Sequence, residues 1–316
     1  MQSDNQTHQE DYLPQSILYS RDGSEEFYVN SQALLIGNLA QDLIKTGAIT
    51  PIEWLKWIPL GQQTDLFSES RIQEKNNYIT YLICQPTKTN ILIAQQAVDA
   101  LATDTLLKVA IFIGHPTSET LAMQQLESAV DCFFYVDRQQ KAPQITREIE
   151  HILRGIGDLY NYQNLVGVDF EDVRTIMQKS GLAHIRYSPP NVLLHQISEL
   201  TQQALNELHA ENTNHQPISG MIALLHHGTE FKMKHLVIMM EIIRHSLGDE
   251  TEILFSDVMR ENWTEECQIT IASFGLSEEA RKRAEPFRTA SEPSASEDKL
   301  DTLDIPPYLR RQLSDD

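Results

Sequence analysis

Positive charge is scarce in this chain: Lys and Arg number 25 against 45 Asp and Glu, a formal net charge of −20 at pH 7. Neutralising a phosphate backbone takes clustered cations, so the balance argues against nucleic acid as a partner, and it opposes direct adhesion to an anionic bilayer. Cysteine is almost as scarce. Cys84, Cys132 and Cys267 stand far apart in apolar stretches without C-x-x-C spacing. That pattern argues against disulfides and zinc and favours buried thiols in a reducing compartment. No apolar run approaches the length of a membrane span, and the opening "MQSDNQTHQEDYLPQ" has neither a basic nor a hydrophobic signal region, so the expected location is cytoplasmic. What is there is a 316-residue chain, 41% hydrophobic, long enough for one large or two medium domains with a real core.

Residues 1–25 are polar and expected to be disordered. "SQALLIGNLAQDLIKTG" (31–47) reads as a helix, with Leu35, Ile36, Leu39, Ala40, Leu43 and Ile44 on one face, Ser31 as N-cap and Gly47 past the end. "YITYLIC" (78–84), "LLKVAIFIG" (106–114) and "CFFYV" (132–136) read as strands, separated by helices near 90–103 and 117–128. Strands alternating with helices imply parallel βαβ units. A longer helix runs from Pro143 to Tyr160, burying Ile145, Ile149, Ile152, Leu153 and Ile156. Two further helices are expected near 171–181 and 191–210. They precede the strand 220–226, the helix 234–247 and the strands 251–256 and 267–274, a second α/β unit.

Residues 277–300, rich in Ser, Glu, Pro and Ala, form a flexible linker. The linker leads to "DTLDIPPYLRRQ", where Leu303, Ile305, Tyr308 and Leu309 crowd together ahead of Arg310 and Arg311. Apolar side chains on such a tail cost solubility unless a partner covers them. Asp304, Pro306 and Pro307 restrict the backbone and lower the ordering cost of capture, while the two arginines suit an acidic groove rim. The histidines offer no constellation: His226 and His227 are adjacent on a strand and point to opposite faces, and His235 and His245 are too far apart on one helix to share a metal.

Two stretches carry a family resemblance. "NLVGVDFEDVRTIMQKSGLAHI" (164–185) resembles the loop and following helix of FtsZ, the bacterial tubulin homologue, whose pattern is G-L-[MI]-N-x-D-F-x-D-V. "LDIPPYLRRQ" resembles that family's C-terminal peptide, L-D-I-P-x-F-L-R, with Pro307 and Tyr308 as departures. The resemblance implies an α/β fold with a parallel-sheet nucleotide-type subdomain (26–142), a central helix and loop (143–170), a second α/β subdomain (171–276), the linker (277–300) and a partner-binding peptide (301–316). It also implies head-to-tail subunits, in which each loop completes the GTPase site of its neighbour.

Against that pattern the nucleotide site is degenerate. "TKTNILI" (87–93) falls on the family's phosphate loop G-G-G-T-G-T-G, so Thr87, Lys88, Thr89 and Asn90 replace glycines or sit among replaced ones, and Ile91, Leu92 and Ile93 are expected to fill open space. Glycine matters there because backbone N–H groups must converge on phosphate oxygens. "EEFYVNSQ" (25–32) falls where the second glycine-rich loop is expected, with Glu25 and Glu26 opposing anions. Ala142 and Arg147 fall where the family holds the guanine base. GTP binding is therefore expected to be lost. In the catalytic loop Gly167 replaces the family's Asn, while Asp169 and Asp172 match its two acids. Those acids suit water and cation positioning; alternatively, Asp169 caps the helix beginning near Glu171 and Asp172 favours its first turn.

The resemblance thus points to a cell-division pseudo-GTPase at the division site, not an enzyme in its own right. Its implied partners are FtsZ filaments and the FtsA- and ZipA-type proteins that bind FtsZ tails and tether them to the membrane. Two alternatives are an adaptor competing for those tethers and a divergent FtsZ that still binds a nucleotide.

Overall fold

A computed structural model describes residues 16–19, 25–28, 31–45, 52–60, 78–101, 105–116, 121–162, 164–189, 192–211, 218–247 and 251–275. The disorder expected over 1–25 does not hold for Ser16–Tyr19, a strand paired with Glu25–Tyr28; the expectations for residues 1–15 and 20–24, for the linker and for the tail peptide fall outside the described residues. In chain order the elements are β1 (Ser16–Tyr19), β2 (Glu25–Tyr28), β3 (Ser31–Ile36), α1 (Asn38–Lys45), β4 (Leu55–Leu60), β5 (Ile79–Cys84), α2 (Lys88–Ala100), β6 (Leu107–Ile113), α3 (Leu121–Ala129), β7 (Cys132–Val136) and α4 (Ala142–Asn161). There follow α5 (Phe170–Met177), β8 (Gly181–Tyr187), β9 (Val192–Leu193), a short 3-10 turn, α6 (Ile197–Glu211), β10 (Ile218–His227), α7 (Met233–Leu247), β11 (Glu252–Met259) and β12 (Glu266–Gly275).

Apart from the β1–β2 pair, the strands join one sheet in the order β11-β10-β12-β8-β7-β6-β5-β3-β4. From β4 to β7 every pairing is parallel. These strands are apolar on both faces because helices cover both. Leu34, Leu82, Ala110 and Phe112 face α2 and α3, while Ala33, Tyr81, Val109 and Ile111 face the core shared with α1 and α4. The second half is mixed: β10 pairs β11 in parallel, and β12 runs antiparallel to β10 and β8. Strand β8 joins the halves through only two parallel pairs with β7, Cys132↔Gly181 and Phe133↔Leu182.

Helix α4 lies against both halves. Its expected apolar face is buried, Ile145, Ile149, Ile152, Leu153 and Ile156 all being at most 4% exposed, which at about 1.5–3 kcal/mol per side chain makes it a principal source of core energy. On the other half, Ile222, Leu224, Ala272 and Phe274 join the same core. The reverse face of that half packs against α6 and α7. All three cysteines are buried and free.

The structure corrects several of the expected elements. Ser31–Ile36 is not the start of a helix but β3, paired on both sides and buried at every position. A run buried on both faces carries no period, so its apolar residues fit a helical stripe by accident. The helix starts only after Gly37, whose φ of +82° makes the strand-to-helix turn. Likewise α5 stops at Met177 and the "GLAHIRY" segment is β8. Lys179 and Gly181, at φ +58° and +71°, make the turn between them. Strand β4 was not anticipated, and α6 starts at Ile197 rather than near 191.

Candidate functional site

The first half of the sheet has the strand order of a doubly wound fold, with β3 at the point where successive connections diverge to opposite sides. In such sheets the ligand crevice opens beyond the carboxyl ends of the strands at this switch point. Here that means the turns Ile36–Asn38 after β3 and Gln85–Thr87 after β5. Because α1 starts only at Asn38, the turn ahead of the first helix is the β3–α1 turn, not residues 25–32. That segment contains β2 and the start of β3. The turn keeps one glycine, Gly37, and is pinned by the Gly37 backbone N–H to Leu60 O at 3.4 Å and by Gln41 Nε2 to Leu60 O at 2.9 Å.

Across the crevice, α2 begins at Lys88 with Thr87 as N-cap. Its hydroxyl oxygen accepts from the Asn90 backbone N–H at 3.3 Å. Thr87, Lys88 and Thr89 are exposed, whereas Asn90 is buried. The Asn90 side-chain amide donates to Gln85 O at 3.0 Å. A Cβ built on Gly37 would stand 2.7 Å from both Asn90 Nδ2 and Oδ1. One side chain thus reaches from the β5–α2 turn to the β3–α1 turn and fills the space between them. The expected obstruction by Ile91, Leu92 and Ile93 is not what the fold shows: Ile91 and Ile93 turn into the core beside Leu34 and Ile36, and Leu92 points outward at 55% exposure. Ala142 and Arg147 are both exposed at the start of α4.

Beyond the other end of α4, residues 164–169 form a loop. Its base is fastened to β11. Asp257 Oδ1 accepts from the backbone N–H groups of Leu165 and Val166, each at 3.1 Å, and Ser256 Oγ donates to Val166 O at 3.0 Å. Asn164 Nδ2 donates to Leu159 O at 2.7 Å and to Ser256 Oγ at 2.6 Å. Behind Asp257 stands His227, with Nε2 at 3.1 Å from Oδ2. Burial would raise the Asp257 carboxyl, but the His227 hydrogen bond and those from Val166 and Leu165 hold it below its ordinary value. A carboxylate fixed in this way clamps the loop base and leaves the tip outward. Leu165 is 68% exposed, and nothing lies within 4 Å of a Cβ on Gly167.

Asp169 and Asp172 sit at the far side of the tip and form a capping box. Asp169 Oδ1 accepts from the Asp172 N–H at 2.9 Å, and Asp172 Oδ2 accepts from the Asp169 N–H at 3.4 Å. Each acid uses one oxygen in capping and both remain exposed, as does Glu171. The capping role and a role toward a second molecule are therefore compatible.

A second buried acid, Asp158, ties α4 to Trp54 just ahead of β4, to His226 of β10 and to Arg260 just after β11. Its Oδ1 accepts from Trp54 Nε1 at 3.1 Å; its Oδ2 is 3.0 Å from His226 Nε2 and 2.7 Å from Arg260 Nη2. Burial would raise this carboxyl too, yet the His226 hydrogen bond and the charges of His226, Arg260 and Arg154 outweigh it and hold it below the usual range. The adjacent histidines do face opposite ways, each onto its own carboxylate. Sequence reasoning missed Asp158 and Asp257. A lone acid in the apolar pattern of a helix or a strand interior was the available signal, since such a charge is rare in a core unless paired. Among the described residues no group of three or more His, Cys, Asp or Glu is placed to hold a metal ion. No helix there is long and apolar enough to cross a membrane.

No protein-family profile matches the chain. Among curated proteins it is similar to the cell division protein FtsZ of Azotobacter vinelandii, 22% identical over 203 residues, covering 51% of this chain and 50% of that protein. It is also similar to the cell division protein FtsZ of Pseudomonas aeruginosa, 24% identical with the same coverage. The chain thus spans about half the length of the curated relatives it matches. Among solved structures, FtsZ of M. jannaschii (a W319Y mutant) superposes with a TM-score of 0.60 at 13% identity, covering 79% of this chain and 92% of that one. TubZ of Bacillus thuringiensis serovar israelensis, in GDP-form protofilaments, gives 0.56 at 8% identity over 83% and 92%.

Proposed function

We propose that this chain, a divergent FtsZ/tubulin-like protein, acts in cell division as a pseudo-GTPase that regulates FtsZ filaments. The observation that carries the reading is Asn90, whose side chain bridges the two turns where a phosphate would have to approach the backbone. With a single glycine between these turns, side chains obstruct close approach of an anion to the backbone N–H groups, and the Asn90 N–H is already taken up by Thr87. The loop at the opposite end is in better order. Its base is clamped by Asp257 and Ser256, and its tip presents Asp169 and Asp172 outward, suited to meeting the nucleotide-bearing end of an FtsZ filament. Such a molecule joins one end of a filament and offers the next subunit no nucleotide. Gly167, standing where the family pattern has Asn, makes hydrolysis at that junction slow and the cap persistent.

Calorimetry of the full chain with GTP and GDP tests the first half of the reading: no saturable heat is expected, and micromolar binding of either overturns it. Mixing the chain with FtsZ and GTP tests the second. Filament lengths by electron microscopy should change at sub-stoichiometric ratios, and the Asp169→Lys/Asp172→Lys double variant should lose the effect through repulsion in a junction arranged around acids and a cation. Unaltered lengths at every ratio remove capping.

A second reading rests on the tail motif Leu303, Asp304, Ile305, Pro306, Tyr308, Leu309, Arg310 and Arg311. As an adaptor, the protein would compete for membrane tethers of the FtsA and ZipA type. Deleting 301–316 should then abolish recruitment to the division site, as should Ile305→Ala with Leu309→Ala, because apolar anchors carry most peptide affinity. Recruitment that survives the deletion favours the filament-end reading alone.

A further inference from the structure

The sheet splits where its two halves meet. β7 and β8 pair only as far as Phe133↔Leu182. Beyond that β8 turns to β12, pairing Ala183↔Phe274 through Tyr187↔Thr270. Between the diverging strands, and closed behind by α4 and the end of α6, lies a cavity of about 620 Å³, within the ~300–1,000 Å³ range of small-molecule sites. It involves neither the Gly37–Asn90 crevice nor the 164–169 loop.

Its walls are mixed. One is aromatic, where the His115 and Tyr135 rings lie 4.5 Å apart. The opposite rim carries Arg186, whose charge is already engaged: it is paired with Glu211, lies 3.5 Å from Glu207, and donates through Nη1 to Ile185 O at 2.7 Å. His184 leans on Glu211 at 3.6 Å, and burial and the neighbouring Arg186 lower its pKa and favour its neutral form. That leaves Glu148, contributed by α4. Its Oε2 is buried with no hydrogen-bond partner among the described residues. Leaving a buried carboxylate oxygen bare costs free energy, and that cost is recovered when a donor arrives. Burial, and secondly Asp137, raise the group, against the pull of Arg186 and Gln140.

We infer that this cavity is a binding site for a small planar organic cation of the amidinium or guanidinium type, its N–H groups meeting Glu148 Oε2 and its face against the His115–Tyr135 wall. A planar cation satisfies the bare acceptor by a charge-assisted hydrogen bond and gains from the aromatic face at once. An anion would meet Glu148 and Glu211, with the one arginine already spent.

The test uses benzamidine as probe and benzamide as its uncharged counterpart, titrated calorimetrically into the full chain and into Glu148→Gln. The substitution keeps the side chain's shape, and circular dichroism checks its fold. A second variant, Tyr135→Leu, removes the aromatic face without touching the charge. Benzamidine should bind saturably, at least fivefold more tightly than benzamide, and should weaken five- to tenfold in Glu148→Gln and measurably in Tyr135→Leu. Absence of saturable benzamidine binding overturns the inference. So does equal binding of the two probes, or binding indifferent to Glu148→Gln.

Discussion

Replacing Asp158 by alanine should be among the most damaging single substitutions in this protein. The carboxylate is fully buried and serves three donors, the Trp54 indole N–H, the His226 ring N–H and the Arg260 guanidinium. Arg260 has a side-chain exposure of 27% and recovers water when released, so its share is small. Trp54 and His226, at 4% and 3%, have no such recourse, and each stranded buried donor costs about 1–3 kcal/mol. Removing one partner of a buried charged cluster costs about 3–5 kcal/mol in general, and the two routes agree on a loss of about 3–5 kcal/mol. For a domain of this size that lowers Tm by roughly 6–20 °C. Urea unfolding followed by tryptophan fluorescence measures it, Trp54 itself reporting on the site. A double-mutant cycle with Arg260→Met should show coupling of at least about 1 kcal/mol. A loss below about 1 kcal/mol for Asp158→Ala would refute the idea that this network ties α4 to the strands on either side.

Further outcomes follow from the same geometry. His151, stacked on Tyr187 at 3.6 Å, is held neutral by burial and then by nearby His226, Arg147 and Arg154, its pKa pushed down to about 3. A depressed folded value means stability that is complete above about 6.5 and lost as pH falls toward 3, on the order of a few kcal/mol. His151→Phe should flatten that acid limb in urea midpoints compared at pH 7, 5 and 4, and an unchanged slope would refute the assignment. Gly37→Ala places a Cβ 2.7 Å from the Asn90 amide at a backbone φ of +82°, so a loss of about 1–3 kcal/mol is expected by thermal unfolding. Pairing it with Asn90→Ala should restore part of that loss. Asp169→Ala removes a helix cap and should cost about 0.5–2 kcal/mol. The change should appear as faster amide exchange confined to the first turn of α5, and global loss without local fraying would count against it.

The elements that came through from sequence are those with an unambiguous local signal. α4 announces itself by a 3.6-residue apolar stripe, and Ile145 through Ile156 are buried as that stripe requires. β6 and β7, short β-branched and aromatic runs between turn signals, lie where expected. Asp169 and Asp172 were legible as a loop motif, and Asp169 also as a helix cap with Asp172 in the first turn; the return bond from the Asp169 N–H to Asp172 was not. By contrast, β3 was misread because burial on both faces erases periodicity; its strand character comes from β4 and β5, which are distant in sequence. The same holds for β8, held in place by β12. The crevice illustrates the limit most clearly. That glycines were missing at 87–93 was visible in the sequence. Which side chain took their place was not, since Asn90 meets Gly37 only when β3 and β5 become neighbours across fifty residues of chain. Asp158 and Asp257 belong to the same class. Local sequence determines where a charge falls on a helix or strand, but whether it is stranded or satisfied depends on partners that only the tertiary fold brings within hydrogen-bond reach.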